Sequence, residues 1–119
     1  ALVTSKVFTR LQEIGTPLSE TIIGLLKFFA KTYDEVFEMP DPPLHDPVAI
    51  ALLIDRTVVK SRFVNVQTEL NGTLTRGATV VDIHGRLGEN ANCNVALELD
   101  ADKFWEMMLD AIKKAGVTK

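Results

Sequence analysis

Met39-Pro40-Asp41-Pro42-Pro43-Leu44-His45-Asp46-Pro47-Val48-Ala49-Ile50-Ala51-Leu52-Leu53-Ile54 sets the layout of the chain. The prolines at 40, 42 and 43 remove backbone donors and push their neighbours into extended conformations, so residues 39 to 43 form a stiff loop that no helix crosses. Asp46-Pro47 then opens a helix. Its carboxylate can accept from free N–H groups, and a proline in the first turn costs no hydrogen bond. Residues 48 to 54 are nearly all apolar, so this helix is expected to be buried all round and to end near Asp55.

Upstream, Thr4-Ser5 is a helix start and Val7, Phe8, Leu11 and Ile14 recur at helical spacing before Gly15, which predicts a short amphipathic helix over 5–14. Thr16-Pro17 restarts the pattern. Leu18, Ile22, Leu25, Leu26, Phe29 and Tyr33 then fall at three- and four-residue steps, predicting a helix from about 17 to 36 with those residues as its core face.

Downstream the period changes to two. Phe63, Asn65, Gln67 and Glu69 alternate with Val64, Val66, Thr68 and Leu70, and Asn71-Gly72 supplies what a tight hairpin turn prefers. The partner strand is either Thr73-Leu74-Thr75 or Thr79-Val80-Val81-Asp82-Ile83. A loop carrying Gly85 and Gly88 leads to a last strand over 94–99. Asp100 or Asp102 caps a final helix whose Phe104, Trp105, Met108, Leu109 and Ile112 bury one face before Gly116. Three short strands are too little sheet for helices this apolar, so an upstream α/β portion is expected. The chain also opens Ala1-Leu2-Val3-Thr4 without an initiator Met, and it reads as a piece of a longer polypeptide.

The 119 residues suit one domain, and 46% hydrophobic with 24% charged side chains excludes a disordered or collagen-like chain. Thirteen basic against sixteen acidic groups give a net charge of −3, which offers no electrostatic footprint for nucleic acid. The longest apolar run, 48–54, is far below the ~20 residues that cross a bilayer. Cys93 alone permits no intrachain disulfide or thiolate zinc set and suits a reducing compartment, with the cytoplasm as the expected location.

Most candidate chemistry reduces to structure. The stretch 72–79 has the glycine spacing of a phosphate loop but lacks the Lys and lies among strands. Asn71-Gly72-Thr73 is formally a glycosylation acceptor but reads first as a turn. Lys60, Arg62, Arg76 and Arg86 read as a solvated face, Cys93 as a small buried or half-buried thiol and His84 as a loop residue. His45-Asp46 differs, because it places an imidazole and a carboxylate where a rigid loop meets a helix N-terminus. Asp46 is then either a helix cap or one oxygen ligand of a hard cation such as calcium, which takes ~6 to 8 oxygens.

Pro43-Leu44-His45-Asp46-Pro47-Val48-Ala49-Ile50-Ala51 resembles the C-terminal signature of the nucleoside hydrolases, the inosine-uridine nucleoside N-ribohydrolase family. The stretch 70–82 resembles that family's following strand pair. Ala96-Leu97-Glu98-Leu99-Asp100 with Phe104-Trp105 resembles its last strand and helix. The resemblance implies an α/β fold, with residues 1–119 as the C-terminal segment of a single larger domain. In that domain, helices and a short antiparallel strand group complete an open, mostly parallel sheet.

It also implies Ca2+-dependent hydrolysis of the N-glycosidic bond of a ribonucleoside, in which water attacks an oxocarbenium-like ribose as the base departs. On the same resemblance His45 is the catalytic group that meets and protonates the leaving base, Asp46 is a calcium ligand, and Phe29 and Tyr33 are aromatic contacts to the nucleobase. For Tyr33 a place on the helix's core face stands beside that role. The implied partners are the ribonucleoside, the N-terminal half of the same domain and further copies in a homodimer or homotetramer.

Two departures accompany the resemblance. The family's N-terminal Asp-x-Asp-x-Gly-x-Asp-Asp cluster is not in this sequence, and Leu2-Val3-Thr4-Ser5 lacks the Asp and His that flank the Thr there. The isolated chain is therefore expected not to be competent. The competing expectation is a non-catalytic module that keeps the fold and serves assembly.

Overall fold

The structure, a computed structural model, describes residues 1–116. Its elements run α1 (Ser5–Ile14), α2 (Pro17–Phe37), α3 (Asp46–Ile54), a 3-10 turn (Arg56–Val58), β1 (Val59–Thr68), β2 (Thr79–Asp82), β3 (Cys93–Leu99) and α4 (Ala101–Gly116). They form two compact units, one of residues 1–58 with the chain from Leu99 onward, the other Val59–Glu98.

The helical unit starts and stops its helices where the sequence provides the means. Gly15 takes the left-handed conformation, φ 63°, that ends α1. Thr16 and Ser19 then form a reciprocal capping box: Ser19 N–H donates to Thr16 Oγ1 at 3.2 Å and Thr16 N–H to Ser19 Oγ at 3.0 Å. Ser19 is fully buried. Thr16→Ala is expected to cost about 1 kcal/mol in urea unfolding, with Thr16→Ser retaining most of it; an unchanged midpoint would refute the cap's contribution.

Asp100, rather than Asp102, caps α4, since its Oδ1 accepts from Lys103 N–H at 3.0 Å. Phe104, Trp105, Leu109 and Ile112 of α4 form the core with Val3, Val7, Leu11, Ile23, Ala51 and Val58. An ion pair from Asp55, the residue after α3, to Lys103 of α4 spans 2.7 Å. That lysine and the Thr57 hydroxyl and N–H hold the Asp55 carboxyl down at about 2.

Two burial expectations are corrected. α3 is not buried all round: only Ala51 is fully covered, while Leu53 is 81% and Ile54 74% exposed. α3 packs chiefly on α4 and on the 3-10 turn, and the faces that carry Leu53 and Ile54 stay largely exposed. In α2 the fully buried positions are Ser19 and Ile23, whereas Leu25 is 65% exposed and Leu18, Ile22, Leu26, Phe29 and Tyr33 are half-buried. α2 packs on α1 and α4, which select a different stripe from the one with most apolar residues.

In the strand unit the order is β2-β1-β3, with β1 and β2 antiparallel in the register Asn65↔Asp82 to Thr68↔Thr79. Pairing therefore uses 79–82 and not 73–75, and β1 begins four residues before Phe63. The Lys60–Glu98 ion pair (2.7 Å) and the bond from Asn92 N–H to Val64 C=O (3.1 Å) run β3 antiparallel to β1. Asn92 extends this pairing with its side chain, which accepts from Val66 N–H and donates to Val66 C=O.

The two-residue hairpin expected at Asn71-Gly72 does not form. The β1–β2 connection spans residues 69–78 and is closed by bonds from Glu69 N–H to Ala78 C=O (2.9 Å) and from Gly77 N–H to Glu69 C=O (2.8 Å). Gly77, at φ 89°, supplies the positive angle instead of the Asn-Gly pair. The competing partner for the Asn71 and Gly72 amides is the Glu69 carboxylate.

Candidate functional site

The approach to α3 is fixed by the first three residues of the chain. Val3 N–H donates to Pro42 C=O (3.0 Å), Leu44 N–H donates to Ala1 C=O (2.7 Å), and Leu2 and Pro43 form an antiparallel bridge. A stretch rich in proline has few donors, so it is held through its carbonyls and through Leu44, the first residue after the prolines with an N–H. Val3 and Pro42 are buried at this junction. Nothing local in the sequence signals this role of residues 1–3.

His45 occupies the N-cap position of α3, with φ −94° and ψ −49°, and its side chain makes no capping bond. Its carbonyl accepts from Val48 N–H at 2.9 Å. Asp46 is the first helical residue and not the cap, with Pro47 at the second position. Its carboxylate accepts no hydrogen bond from another described residue, and both side chains are exposed. The cap reading of Asp46 is thus corrected: from inside the first turn its oxygens leave the helix N–H groups unbonded, and they face solvent with acceptor capacity to spare.

Asp46, with Pro47, Ile50 and Ile54, also lines one wall of an apolar groove of about 460 Å³, opposite Phe104, Met107 and Met108 of α4. It is the one ionisable group among the described residues of that lining. As one oxygen donor for a hard cation the carboxylate fits. Among the described residues, however, no three His, Cys, Asp or Glu side chains converge to hold a metal, and one carboxylate falls far short of ~6 to 8 oxygens.

Phe29 and Tyr33 meet edge-on along α2, ring centroids 4.8 Å apart and planes at 61°. Phe37 continues the ladder, 4.9 Å from Tyr33. The sequence reading ended this helix one residue short and so missed Phe37, although the four-residue step from Tyr33 to Phe37 signals it. The half-burial of Phe29 and Tyr33 leaves ring surface open to contact. The structure brings Phe29 and Tyr33 together and places His45 beside Asp46, but no hydrogen bond, ion pair or ring contact joins one pair to the other.

Against known proteins, the family model for inosine-uridine preferring nucleoside hydrolase matches residues 1–106. An inosine-uridine preferring nucleoside hydrolase from Leishmania major is 40% identical over 116 residues, 98% of this chain and 37% of that protein. A probable ribonucleoside hydrolase from Dictyostelium discoideum is 39% identical, over 94% of this chain and 35% of that one. Among solved structures, a purine-preferring ribonucleoside hydrolase from Gardnerella vaginalis superposes with a TM-score of 0.79 at 25% identity, covering 98% of this chain and 37% of its own. The chain therefore spans little more than a third of the length of these relatives. Matched across nearly all of its residues, and with helices and a small antiparallel sheet that superpose on a solved ribonucleoside hydrolase, the chain belongs to the inosine-uridine preferring nucleoside hydrolase family.

Proposed function

We propose that the polypeptide carrying this chain is a ribonucleoside hydrolase, and that this chain is the C-terminal portion of its α/β domain. The observation that carries the proposal is the family match over residues 1–106, within which the His45 and Asp46 side chains stand exposed on a rigid junction without a hydrogen-bond partner among the described residues. The reaction breaks the bond between the ribose anomeric carbon and the base nitrogen and adds water across it. His45 gives a proton to the departing base, a task suited to an imidazole near neutral pH. Phe29 and Tyr33 offer ring faces to the base, and Asp46 supplies one oxygen toward calcium. The chemistry a bound calcium contributes is the acidification of water and charge stabilisation.

The exposed Leu53, Ile54 and Leu25 favour a second reading, a non-catalytic module that covers these faces on assembly, whether with the rest of its own domain or in a homodimer or homotetramer. Among the described residues no helix is long and apolar enough to cross a membrane. Cys93 is exposed and not buried or half-buried as expected, and a cytoplasmic location, where such a free thiol is kept reduced, is part of the proposal.

Ribose release from inosine and from uridine, with and without a chelator and alongside an intact-mass spectrum, tests the hydrolase reading. Chelator-sensitive release supports it; no release from the full-length polypeptide supports the module. Asp46→Asn is expected to weaken calcium dependence by about tenfold or more in half-saturating concentration while leaving the unfolding free energy within about 0.5 kcal/mol, since the carboxylate bonds to no described residue. An unchanged calcium titration would remove Asp46 from the ligand set.

A further inference from the structure

Asn71-Gly72 is the sequence most prone to deamidation on chemical grounds, because a residue without a side chain leaves its backbone nitrogen free to approach the preceding carboxamide. Here that nitrogen is occupied. Glu69 Oε1 accepts from Gly72 N–H at 3.0 Å and from Asn71 N–H at 2.8 Å, so one carboxylate oxygen grips both amides of the pair. The grip is built into the turn: Glu69 is half-buried, its own N–H and C=O close the β1–β2 connection, and a Cβ placed on Gly72 would lie 2.5 Å from Thr75 Oγ1 and 3.1 Å from Glu69 Cγ. A side chain at 72 would therefore displace the Thr75 hydroxyl or the Glu69 stem, so the glycine that invites the reaction also suits the turn. We infer that Asn71 is a latent modification site, and that Glu69 is the positioning residue that holds it unreacted.

The reaction to be blocked forms a bond from Gly72 N to Asn71 Cγ, expels the carboxamide nitrogen as ammonia, and gives a cyclic imide. Water then opens the imide to aspartate or isoaspartate, so the net change is water in and ammonia out. Attack requires Gly72 N to lose its proton and turn toward Cγ. A carboxylate is far too weak a base to take that proton, and an amide anion forming beside it would lose a charge-assisted hydrogen bond and meet a like charge, so the contact retards the step. The same amide bonds hold the Glu69 carboxyl below its usual range, so the ionised acceptor persists to more acidic pH than an ordinary glutamate.

The test incubates the full protein at neutral pH and 37 °C and follows the mass gain and isoaspartate at residue 71 by peptide mapping, beside a free peptide of residues 66–80. Wild type is expected to react roughly ten- to a hundredfold more slowly than the peptide, the factor that a hydrogen bond to a charged group is worth, and Glu69→Ala to recover most of that rate. Glu69→Gln, a neutral acceptor of the same shape, is expected to lie between. Wild type reacting at the peptide rate overturns the inference, as does a Glu69→Ala protein as slow as wild type. If Glu69→Ala also accelerates change at Asn92 and Asn94, the unit has opened; amide exchange in wild type then decides, with protection at Asn71 and Gly72 expected and free exchange at both contradicting it.

Discussion

Replacing His45 by Ala is expected to lower kcat on inosine by ~10²- to 10⁴-fold in the protein that carries this chain, with no comparable loss of stability. The stability half follows from the fold: the imidazole is exposed and caps nothing, so its removal should stay within about 0.5 kcal/mol. The activity half follows from the proposed proton transfer. A purine leaving without a proton departs as an anion, whereas a ribose linked to a nitrophenolate needs no such help. The variant should therefore lose far more on inosine than on a nitrophenyl riboside. Equal losses on both would show that His45 positions substrate without protonating it.

Phe104→Ala is expected to destabilise the helical unit by about 3–5 kcal/mol, the range for deleting a buried aromatic ring from a packed core. Phe104 is 1% exposed and meets Trp105 edge-on, ring centroids 5.1 Å apart at 67°, which adds ~0.5–1.5 kcal/mol beyond area burial. It sits near the start of α4, the helix on which α1, α2 and α3 all pack. Phe104→Leu refills most of the volume and should cost clearly less. Denaturant unfolding with the slope held constant checks the pair, and a cost below about 1 kcal/mol for the alanine variant would mean the core closes over the gap.

Local signals in this sequence located elements well because each is a property of a few adjacent residues. Gly15, Thr16-Pro17, Pro47 and Asp100 mark helix ends by their own backbone and side-chain chemistry, and the helices begin and end where these residues stand. Burial was less legible. Leu53 and Ile54 are as apolar as Leu109 and Ile112, yet only the latter are covered, because coverage depends on which element lies opposite. The Asn71-Gly72 turn failed for a similar reason: Glu69, two residues away, claims both amides and spreads the connection over 69–78. At the candidate site, His45 and Asp46 were legible through family resemblance and a rigid junction, Phe37 through spacing alone, and the tie from residues 1–3 not at all, since hydrogen bonds between distant extended segments leave little periodicity.

That tie has a consequence for the order in which the molecule comes together. Its two sides, Ala1–Val3 and Pro42–Leu44, are separated by the whole of α1 and α2, so closing it from an unfolded chain costs the entropy of a long loop for two backbone bonds. Packing of α1 against α2 folds that loop back on itself first and shortens what remains to be closed. The seating of His45 is accordingly expected to follow formation of the helical core, and a lesion deep in that core is expected to disturb the imidazole without touching it.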